Sequence, residues 1–200
     1  MRTTAEETQR NDEIIIAAAI KVFSEKGYDA ASMQDIADEA KISRGPLYYR
    51  YKTKKDIYLA AMDAYAKQEL GEQARILRQK KPLPERLREY LYYATKSIRD
   101  DQNAFPMDIF PDPGMQDVNA RIREIYGWAY TINKRFVMSA VQNGEMRPDT
   151  DVDSVVNIMF VAFDGLRYSR MKSGVISSSE DLEKTIDQIC NMMIAGYGTE

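Results

Sequence analysis

The chain has 200 residues, 44% of them hydrophobic and 30% charged, and carries a formal net charge of -3 at pH 7. These proportions are ordinary for a globular protein of one or two domains. There is no histidine and only one cysteine, which excludes histidine acid–base catalysis, histidine-containing metal sites and an internal disulfide. No apolar run is long enough to span a bilayer, and no signal sequence is recognisable. We therefore expect a cytoplasmic protein with no membrane partner, no metal and no cofactor.

The net charge hides a local concentration of positive charge. Residues 1 to 56 hold ten basic and ten acidic side chains, which leaves 18 of the 28 basic and 21 of the 31 acidic residues for positions 57 to 200. Between Lys41 and Lys55 there are six basic residues and no acidic one, with three tyrosines interleaved. A local basic patch on an otherwise acidic chain is typical of a protein that binds nucleic acid selectively.

A first helix is predicted from Asn11, because apolar residues then recur at three- and four-residue spacing. The residues that would share its buried face are Ile15, Ala18, Ala19, Val22 and Phe23. Asn11 is a suitable N-cap, and Gly27 can adopt the left-handed conformation that ends a helix. Residues 1 to 10 are polar and are expected to fray.

Two short helices are predicted next, joined by a turn of about four residues. Ser32 with Asp35 three residues later forms a capping-box pattern, which places the start of the second helix at Met33. Ser43 is expected to cap the third helix, and Pro46 lies in the first turn of that helix, where its missing N–H costs nothing. This arrangement indicates a helix-turn-helix.

A longer fourth helix is predicted to begin at a second capping pattern, Thr53 with Asp56, and to run to about Lys80. Pro82 and Pro84 exclude its continuation. We divide the chain into a domain of residues 1 to 56, which the fourth helix links from residue 54 onward to a second domain of residues 57 to 200.

The second domain is predicted to be a helical bundle. Apolar stripes indicate helices at residues 85 to 99, 117 to 142, 152 to 172 and 180 to 195, and the proline-rich segment 103 to 115 is expected to contain a short helix. No segment alternates like a β-strand, so the predicted fold class is all-α.

The third helix has the features of a helix that reads DNA. Small residues after Ser43, namely Gly45 and Pro46, make its first turn slim enough for the major groove, where Arg44 would reach a guanine edge or a phosphate. Tyr48 and Tyr49 offer hydroxyls to phosphates and flat surfaces to sugars. The alternative is that the basic run is a solvated charged face of an ordinary helical bundle.

Lys54 and Lys55 occupy an unusual place, the first turn of the fourth helix. A cation at the positive end of a helix dipole costs roughly 0.3–1 kcal/mol. A phosphate bound at this helix end would remove that cost, and the two lysines therefore favour a phosphate contact here.

Residues 10 to 60 resemble the DNA-binding domain of the tetracycline-repressor (TetR) family of bacterial regulators. Three stretches carry the resemblance: Ile-Ile-x-Ala-Ala-x-x-Val-Phe-Ser-Glu-Lys-Gly-Tyr from Ile15, Ser-Met-Gln-Asp-Ile-Ala from Ser32, and Ile-Ser-Arg-Gly-Pro-Leu-Tyr-Tyr-Arg-Tyr-Lys-Thr-Lys from Ile42. The resemblance implies a homodimer of about nine helices per subunit. Its N-terminal three-helix domain would bind palindromic double-stranded operator DNA, and a helical bundle would bind a small-molecule effector and dimerise.

The resemblance also implies which residues contact DNA. Carried over position by position and joined by the neighbouring Lys52, they are Ser32, Gln34, Ser43, Arg44, Gly45, Pro46, Tyr48, Tyr49, Lys52 and Lys54. Two departures from the family pattern matter. Lys41 stands where the turn glycine is usual, which predicts a left-handed residue other than glycine, and Arg50 replaces a common histidine.

Two further sites are predicted in the second domain. Aromatic residues that would line an effector pocket, next to a proline-rich wall, are Tyr92, Phe105, Phe110, Tyr126, Trp128 and Phe163. Apolar residues on the last two helices, which are broader than one stripe, would form the dimer interface: Val156, Phe160, Ile186, Ile189 and Met193. For both sets, burial inside one subunit is the alternative.

An enzymatic function is not expected. The chain lacks a nucleophile elbow, a phosphate-binding glycine loop and a metal-ligand cluster, and Cys190 sits in an apolar helix without a basic neighbour. The predicted function is a ligand-responsive repressor, with a transcriptional activator of the same family as the alternative. A helical adaptor without DNA binding would leave the basic, tyrosine-rich stretch unexplained.

Overall fold

A computed structural model describes residues 4–95, 105–107, 109–168 and 174–199. These residues form eight α-helices, and the predicted all-α class is confirmed. The helices are α1 (Thr4–Ala30), α2 (Met33–Glu39), α3 (Arg44–Arg50), α4 (Lys54–Leu77), α5 (Leu83–Ala94), α6 (Gln116–Gln142), α7 (Val152–Tyr168) and α8 (Ser179–Tyr197). The short helix expected between residues 103 and 115 is a 3₁₀ turn, Pro113–Met115. No helix in the described ranges combines the length and apolar character that crossing a bilayer requires.

The chain folds as two compact units. The N-terminal unit comprises Met1–Glu69 and Asn103–Ile125, and the C-terminal unit comprises Leu70–Gln102 and Tyr126–Glu200. The division between compact units therefore falls within α4 and not at residue 56, where the sequence placed a boundary. The physical reason is that the first half of α4 contributes Ile57, Tyr58 and Met62, all fully buried, to the core of the N-terminal unit.

Side-chain capping explains where α2 and α4 begin. At α2, Ser32 accepts from the Asp35 backbone N–H at 3.2 Å while the Asp35 carboxylate accepts from the Ser32 N–H at 2.9 Å, the predicted capping box. The same reciprocal pair joins Thr53 and Asp56 at α4. Ser43 occupies the N-cap position of α3, but its side chain makes no capping hydrogen bond.

The first helix differs from its prediction at both ends. It begins at Thr4, seven residues before Asn11, so part of the polar N-terminal segment is helical. Gly27 has φ 75 and ψ 171 as expected for a left-handed break, yet helical structure resumes to Ala30. Gly27 therefore kinks α1 and does not end it. The second half of the predicted helix 85 to 99 lies partly outside the described residues.

Acid is expected to weaken the start of α2 through Asp35. The Lys26 ammonium, 2.6 Å away, and then the Ser32 hydroxyl hold the pKa of the Asp35 carboxyl at about 2, below its ordinary value of 3.8. Because the folded-state pKa is lowered, this contribution is complete above pH 4 and is lost as the pH falls toward 2. Urea unfolding of the protein and of Asp35→Asn at pH 6, 4 and 2.5 should show a difference in the free energy of unfolding that becomes smaller as the pH falls. A difference that grows toward pH 2.5 would contradict this assignment.

Aromatic packing dominates the core of the N-terminal unit. Six rings form one cluster: Phe23, Tyr28, Tyr58, Tyr65, Phe105 and Phe110. Tyr58 of α4 is central, with its ring 5.0 Å from Phe23 and 5.2 Å from Phe105, and its hydroxyl donates to the Pro106 carbonyl. Aromatic pairs of this kind contribute ~0.5–1.5 kcal/mol each beyond their buried area. The cluster thereby fixes α4 to α1 and to the residues that follow position 104.

The core of the C-terminal unit is aliphatic. Leu87 and Leu91 of α5, Val155 of α7 and Ile186 of α8 are fully buried in it. Arg88 of α5 pairs with Asp187 of α8 at 2.7 Å. At the end of α8, the Tyr197 carbonyl accepts from the Arg147 N–H at 2.9 Å. The last helix is therefore held along its length by the unit to which it belongs.

Candidate nucleic-acid interface

The turn between α2 and α3 is a Schellman motif, a hydrogen-bonded C-terminal cap. The Ile42 N–H donates to the Ala37 carbonyl at 3.0 Å, and the Lys41 N–H donates to the Asp38 carbonyl at 3.1 Å. Lys41 occupies the left-handed position with φ 55. The predicted left-handed residue other than glycine is therefore confirmed, and the turn carries backbone strain of ~1–2 kcal/mol.

Replacing Lys41 with glycine is expected to stabilise the protein by ~1 kcal/mol, because glycine adopts a positive φ without a Cβ penalty. Chemical denaturation of Lys41→Gly should give a higher free energy of unfolding than the parent. Lys41→Ala is the matched control, since it removes the same charge but keeps the strain. Equal stabilities for the two variants would show that the left-handed backbone is not the cause.

The outer face of α3 is open to solvent along its length. Arg44, Gly45 and Pro46 are exposed in the first turn, and Tyr49 is 83% exposed. Leu47, fully buried, anchors the opposite side. A helix held by one apolar residue and bare on its other face can enter a DNA groove without rearrangement of its core.

A polar chain of hydrogen bonds fixes the two helices of the helix-turn-helix. The Arg44 Nε donates to Gln34 Oε1, and Gln34 Nε2 donates to Asp38 Oδ1 at 2.5 Å. The Gln34 side chain, in the middle of these hydrogen bonds, is half-buried, while Ser32 and Ser43 are exposed at the two N-caps. The arrangement orients Arg44 from α2, so Gln34 positions a neighbouring side chain as well as lying beside the predicted base readers.

Lys54 has hydrogen-bond partners inside the protein, while its predicted contact with a phosphate stays a prediction. Its ammonium donates to the carbonyls of Tyr28, Asp29 and Ala31 at 2.8, 3.2 and 3.0 Å, and lies 4.5 Å from the centre of the Tyr28 ring. Three acceptors match the three N–H donors of a lysine. Lys54 therefore binds carbonyls at the C-terminal end of α1 and holds the first turn of α4 to that end.

Lys55 also has an internal anion. Its ammonium pairs with Asp117 at the start of α6 at 2.9 Å and donates to the Gly114 carbonyl at 3.3 Å. The pairing lowers the pKa of the Asp117 carboxyl and raises that of Lys55. The dipole cost at the start of α4 is thus offset within the N-terminal unit. Asp117 is too distant in sequence for spacing to have indicated it.

The remaining basic residues of the stretch are held near the end of α3. Lys52 donates to the Tyr48 and Tyr49 carbonyls at 3.2 and 3.1 Å, so it caps α3 while its side chain stays exposed. Arg50 pairs with Asp12 of α1. The side chain of Lys52 remains exposed and accessible for a phosphate.

Lys54→Met is expected to lower the free energy of unfolding by ~2 kcal/mol, because hydrogen bonds to a charged donor are worth ~1.5–3 kcal/mol and three carbonyls lose their partner. Lys67→Met, at an exposed lysine of the same helix, serves as the control and should change stability little. Urea denaturation measures both. If Lys54→Met kept its stability but lost DNA affinity, the lysine would be a DNA contact and not an internal cap.

The six residues predicted for the effector pocket are divided between the two compact units. Phe105, which is 2% exposed, and Phe110 belong to the aromatic core of the N-terminal unit. Tyr92, Tyr126 and Phe163 are half-buried in the C-terminal unit, and Trp128 is 46% exposed. Phe105 and Phe110 therefore have a packing role, and the pocket assignment of all six stays a prediction.

Three of the five residues predicted for the dimer interface are core residues of a single chain. Val156 and Ile186 are fully buried and Met193 is 4% exposed, so none offers surface to a partner. Phe160 and Ile189 are partly buried against the same core. The same helices carry exposed apolar residues one helical face away, namely Ile158, Val161 and Met192. An apolar pattern broader than one stripe predicts two apolar faces on a helix, but it does not show which face packs into the core.

Among the described residues, no group of three or more cysteine, aspartate or glutamate side chains could hold an ion. Cys190 is buried, and burial raises the pKa of its thiol to about 11, which keeps it protonated and unreactive.

Residues 15–61 match the family model for bacterial regulatory proteins of the tetR family. The chain is 50% identical over 44 residues to the biofilm operon icaADBC negative transcriptional regulator IcaR of Staphylococcus aureus. These 44 residues cover 22% of this chain and 24% of IcaR. In structure it resembles a TetR transcriptional regulator from Chloroflexus aurantiacus, with TM-score 0.80, 19% identity and coverage of 98% and 100% of the two chains. FadR from Bacillus subtilis, solved with stearoyl-CoA, gives TM-score 0.68 at 18% identity over 92% of this chain and 98% of FadR.

The chain spans about half the length, or less, of the curated relatives it matches. The solved structures share the fold along nearly the whole chain. The matched segment 15–61 begins in α1, contains α2 and α3, and ends in α4, which are the helices that carry the exposed basic and tyrosine face. Residues 15–61 thus match the tetR family model, and nearly the whole chain has the fold of the TetR regulator from Chloroflexus aurantiacus.

Proposed function

We propose that this protein is a repressor that binds palindromic operator DNA as a homodimer and releases it when a small-molecule effector binds. The observation that carries the proposal is the exposed face of α3, where Arg44, Tyr48 and Tyr49 project from a helix anchored by Leu47. Specific DNA readers combine a base-reading arginine with phosphate contacts from tyrosines and lysines in this way.

The relatives support repression and ligand control. IcaR is named a negative regulator, and the FadR structure contains a bound acyl-CoA. In this chain the effector would bind within residues 57–200, with the aromatic residues Tyr92, Tyr126, Trp128 and Phe163 of the C-terminal unit as candidates for its lining.

Dimerisation is proposed through the outer faces of α7 and α8. Val161 is 72% exposed and Met192 is 69% exposed, and Ile158 lies one turn from Val161 on α7. Burying three large apolar side chains removes a solvation cost of ~1.5–3 kcal/mol each. Charged substitution of Val161 and Met192 should convert a dimer into a monomer in sedimentation velocity, whereas an unchanged sedimentation coefficient would place the interface elsewhere.

The release mechanism is proposed to act through α4. Its first turn is fixed to the end of α1 by Lys54 and to the start of α6 by the Lys55–Asp117 pair. A shift of α4 on effector binding would therefore carry the helix-turn-helix with it and change the spacing of the two α3 helices in the dimer.

Selecting operator DNA with the purified protein, then screening small molecules for its release, tests the function. A repressor should release its operator in the presence of one class of molecule, and a reporter gene under that operator should be derepressed. Transcription that rises with bound protein would show an activator. A protein that enriches no DNA sequence would be an adaptor, and the proposal would fail.

A further inference from the structure

The C-terminal unit contains a cleft of about 750 Å³ that belongs to no predicted site. It lies between the end of α4, the turn that follows, the second half of α6 and Glu145. None of the six residues predicted for the effector pocket lines it. Clefts of this volume are in the range that binds small organic molecules.

The wall of the cleft is strongly cationic. Five basic side chains line it, Arg78, Lys80, Lys81, Arg86 and Arg135, against one acidic side chain, Glu145. The excess of four positive charges stands on a chain whose net charge is -3. A concave surface lined by one sign of charge concentrates ligands of the opposite sign.

Ion pairs within the protein neutralise only some of these basic side chains. Lys81 pairs with Glu89 at 2.6 Å, and Arg86 pairs with Glu145. Lys80 and Arg135, by contrast, are exposed and have no acidic partner within the part of the chain that the structure describes. These two cations are available to a ligand without breaking an existing ion pair.

The floor of the cleft is apolar and carries a buried guanidinium. Leu77, Ile132 and Phe136 contribute the apolar surface, and the Arg86 guanidinium lies 5.3 Å from the centre of the Phe136 ring. Arg86 is 6% exposed, and its Nε has no acceptor among the described residues. Because an unsatisfied buried donor is costly, an acceptor atom placed in the cleft would stabilise this arrangement.

We propose that this cleft binds an amphipathic organic anion, with its carboxylate or phosphate on Lys80 and Arg135 and its apolar body against Phe136 and Ile132. Both requirements follow from the lining: the rim supplies unpaired positive charge, and the floor supplies apolar surface. The proposal goes beyond DNA binding and does not depend on it, because the site lies within the C-terminal unit alone.

The test uses the full-length protein and hexyl phosphate as the probe, in isothermal titration calorimetry at low salt. Inorganic phosphate and hexanol are titrated in parallel, since each carries only one half of the proposed chemistry. Hexyl phosphate should bind at least about tenfold more tightly than either, because it gains both the charge and the apolar contact.

Two variants locate the binding. Lys80→Glu with Arg135→Glu should weaken hexyl phosphate binding at least about tenfold, and the milder Lys80→Gln with Arg135→Gln should weaken it less. Lys67→Glu with Arg123→Glu makes the same change of net charge at exposed residues that do not line the cleft and should leave binding unchanged. Circular dichroism confirms the fold of each.

Three results would overturn the proposal. Equal affinity for hexyl phosphate in both pairs of charge-reversal variants would place the binding outside the cleft or make it a property of net charge. Equal binding of inorganic phosphate would remove the role of the apolar floor, and equal binding of hexanol would remove that of the cations. Loss of operator binding in these variants has no bearing on the cleft, so the two proposals fail separately.

Discussion

Replacing Arg44 and Tyr49 together with alanine is expected to weaken binding to the selected operator about 100-fold, with little change in stability. A base-reading arginine is worth ~1–3 kcal/mol of discrimination, and a tyrosine contact to a phosphate adds to it. Tyr49 is 83% exposed and Arg44 is exposed, so neither supports the core. Fluorescence anisotropy with the labelled operator measures the effect, and thermal unfolding checks the fold.

Arg123→Ala is the control for this double variant, because it removes an exposed arginine from α6, outside the helix-turn-helix. It should bind the operator as the parent does. If the Arg44 and Tyr49 variant kept full affinity for the operator and the parent's preference over random DNA, α3 would not be the reading helix.

Glu145→Ala is expected to lower the free energy of unfolding by ~3 kcal/mol. Glu145 is the carboxylate partner of Arg86, a guanidinium only 6% exposed that also donates to the Leu77 carbonyl at 3.2 Å. Removing one member of a buried ion pair leaves the other charge uncompensated, which costs ~3–5 kcal/mol when burial is complete. Glu145 itself is partly exposed, so the expected loss of stability lies at the lower end of that range. Urea denaturation gives the value.

Two comparisons isolate the cause of that loss. Arg86→Met combined with Glu145→Met removes both charges and should cost less than Glu145→Ala alone, because no buried charge is left unpaired. Asp149→Ala removes an exposed carboxylate 3.8 Å from Arg147 and should change stability by less than ~1 kcal/mol. A loss in Asp149→Ala as large as that in Glu145→Ala would show that burial of the arginine is not responsible.

The features that the sequence predicted well are those encoded over a few residues. The capping pairs at Ser32 and Thr53 depend on atoms three residues apart. The left-handed conformation of Lys41 follows from its place in the turn. Each of these signals is complete within one turn of helix or one connection.

The features that the sequence did not predict depend on contacts between distant segments. The sequence predicts a phosphate contact for Lys54 and Lys55 because the electrostatic cost of two cations at a helix N-terminus is visible in it. Their compensation by the Tyr28, Asp29 and Ala31 carbonyls and by Asp117 is visible only in the fold. The sequence thus located an electrostatic anomaly correctly but could not say which anion or dipole resolves it.

The two apolar faces of α7 could not be assigned to core and surface from the sequence. On α7 the apolar residues at 155, 156 and 159 face the core, while those at 158 and 161 face solvent. The periodicity of apolar residues shows how two faces are arranged around a helix, but it does not show which face packs into the core and which faces solvent. Phe105 and Phe110 illustrate a related limit, because a proline-rich aromatic segment suits a pocket wall and a packed core equally well.

The regulator assignment is tested most directly by measuring the affinity of the protein for a selected duplex against a scrambled duplex of equal length and composition, at two salt concentrations. A dimeric operator-binding regulator should enrich a palindromic motif and bind it ~10³-fold or more tightly than the scrambled duplex. The affinity for both duplexes should fall with salt as phosphate contacts are lost. No enriched motif, together with equal affinity for the two duplexes, would contradict the assignment.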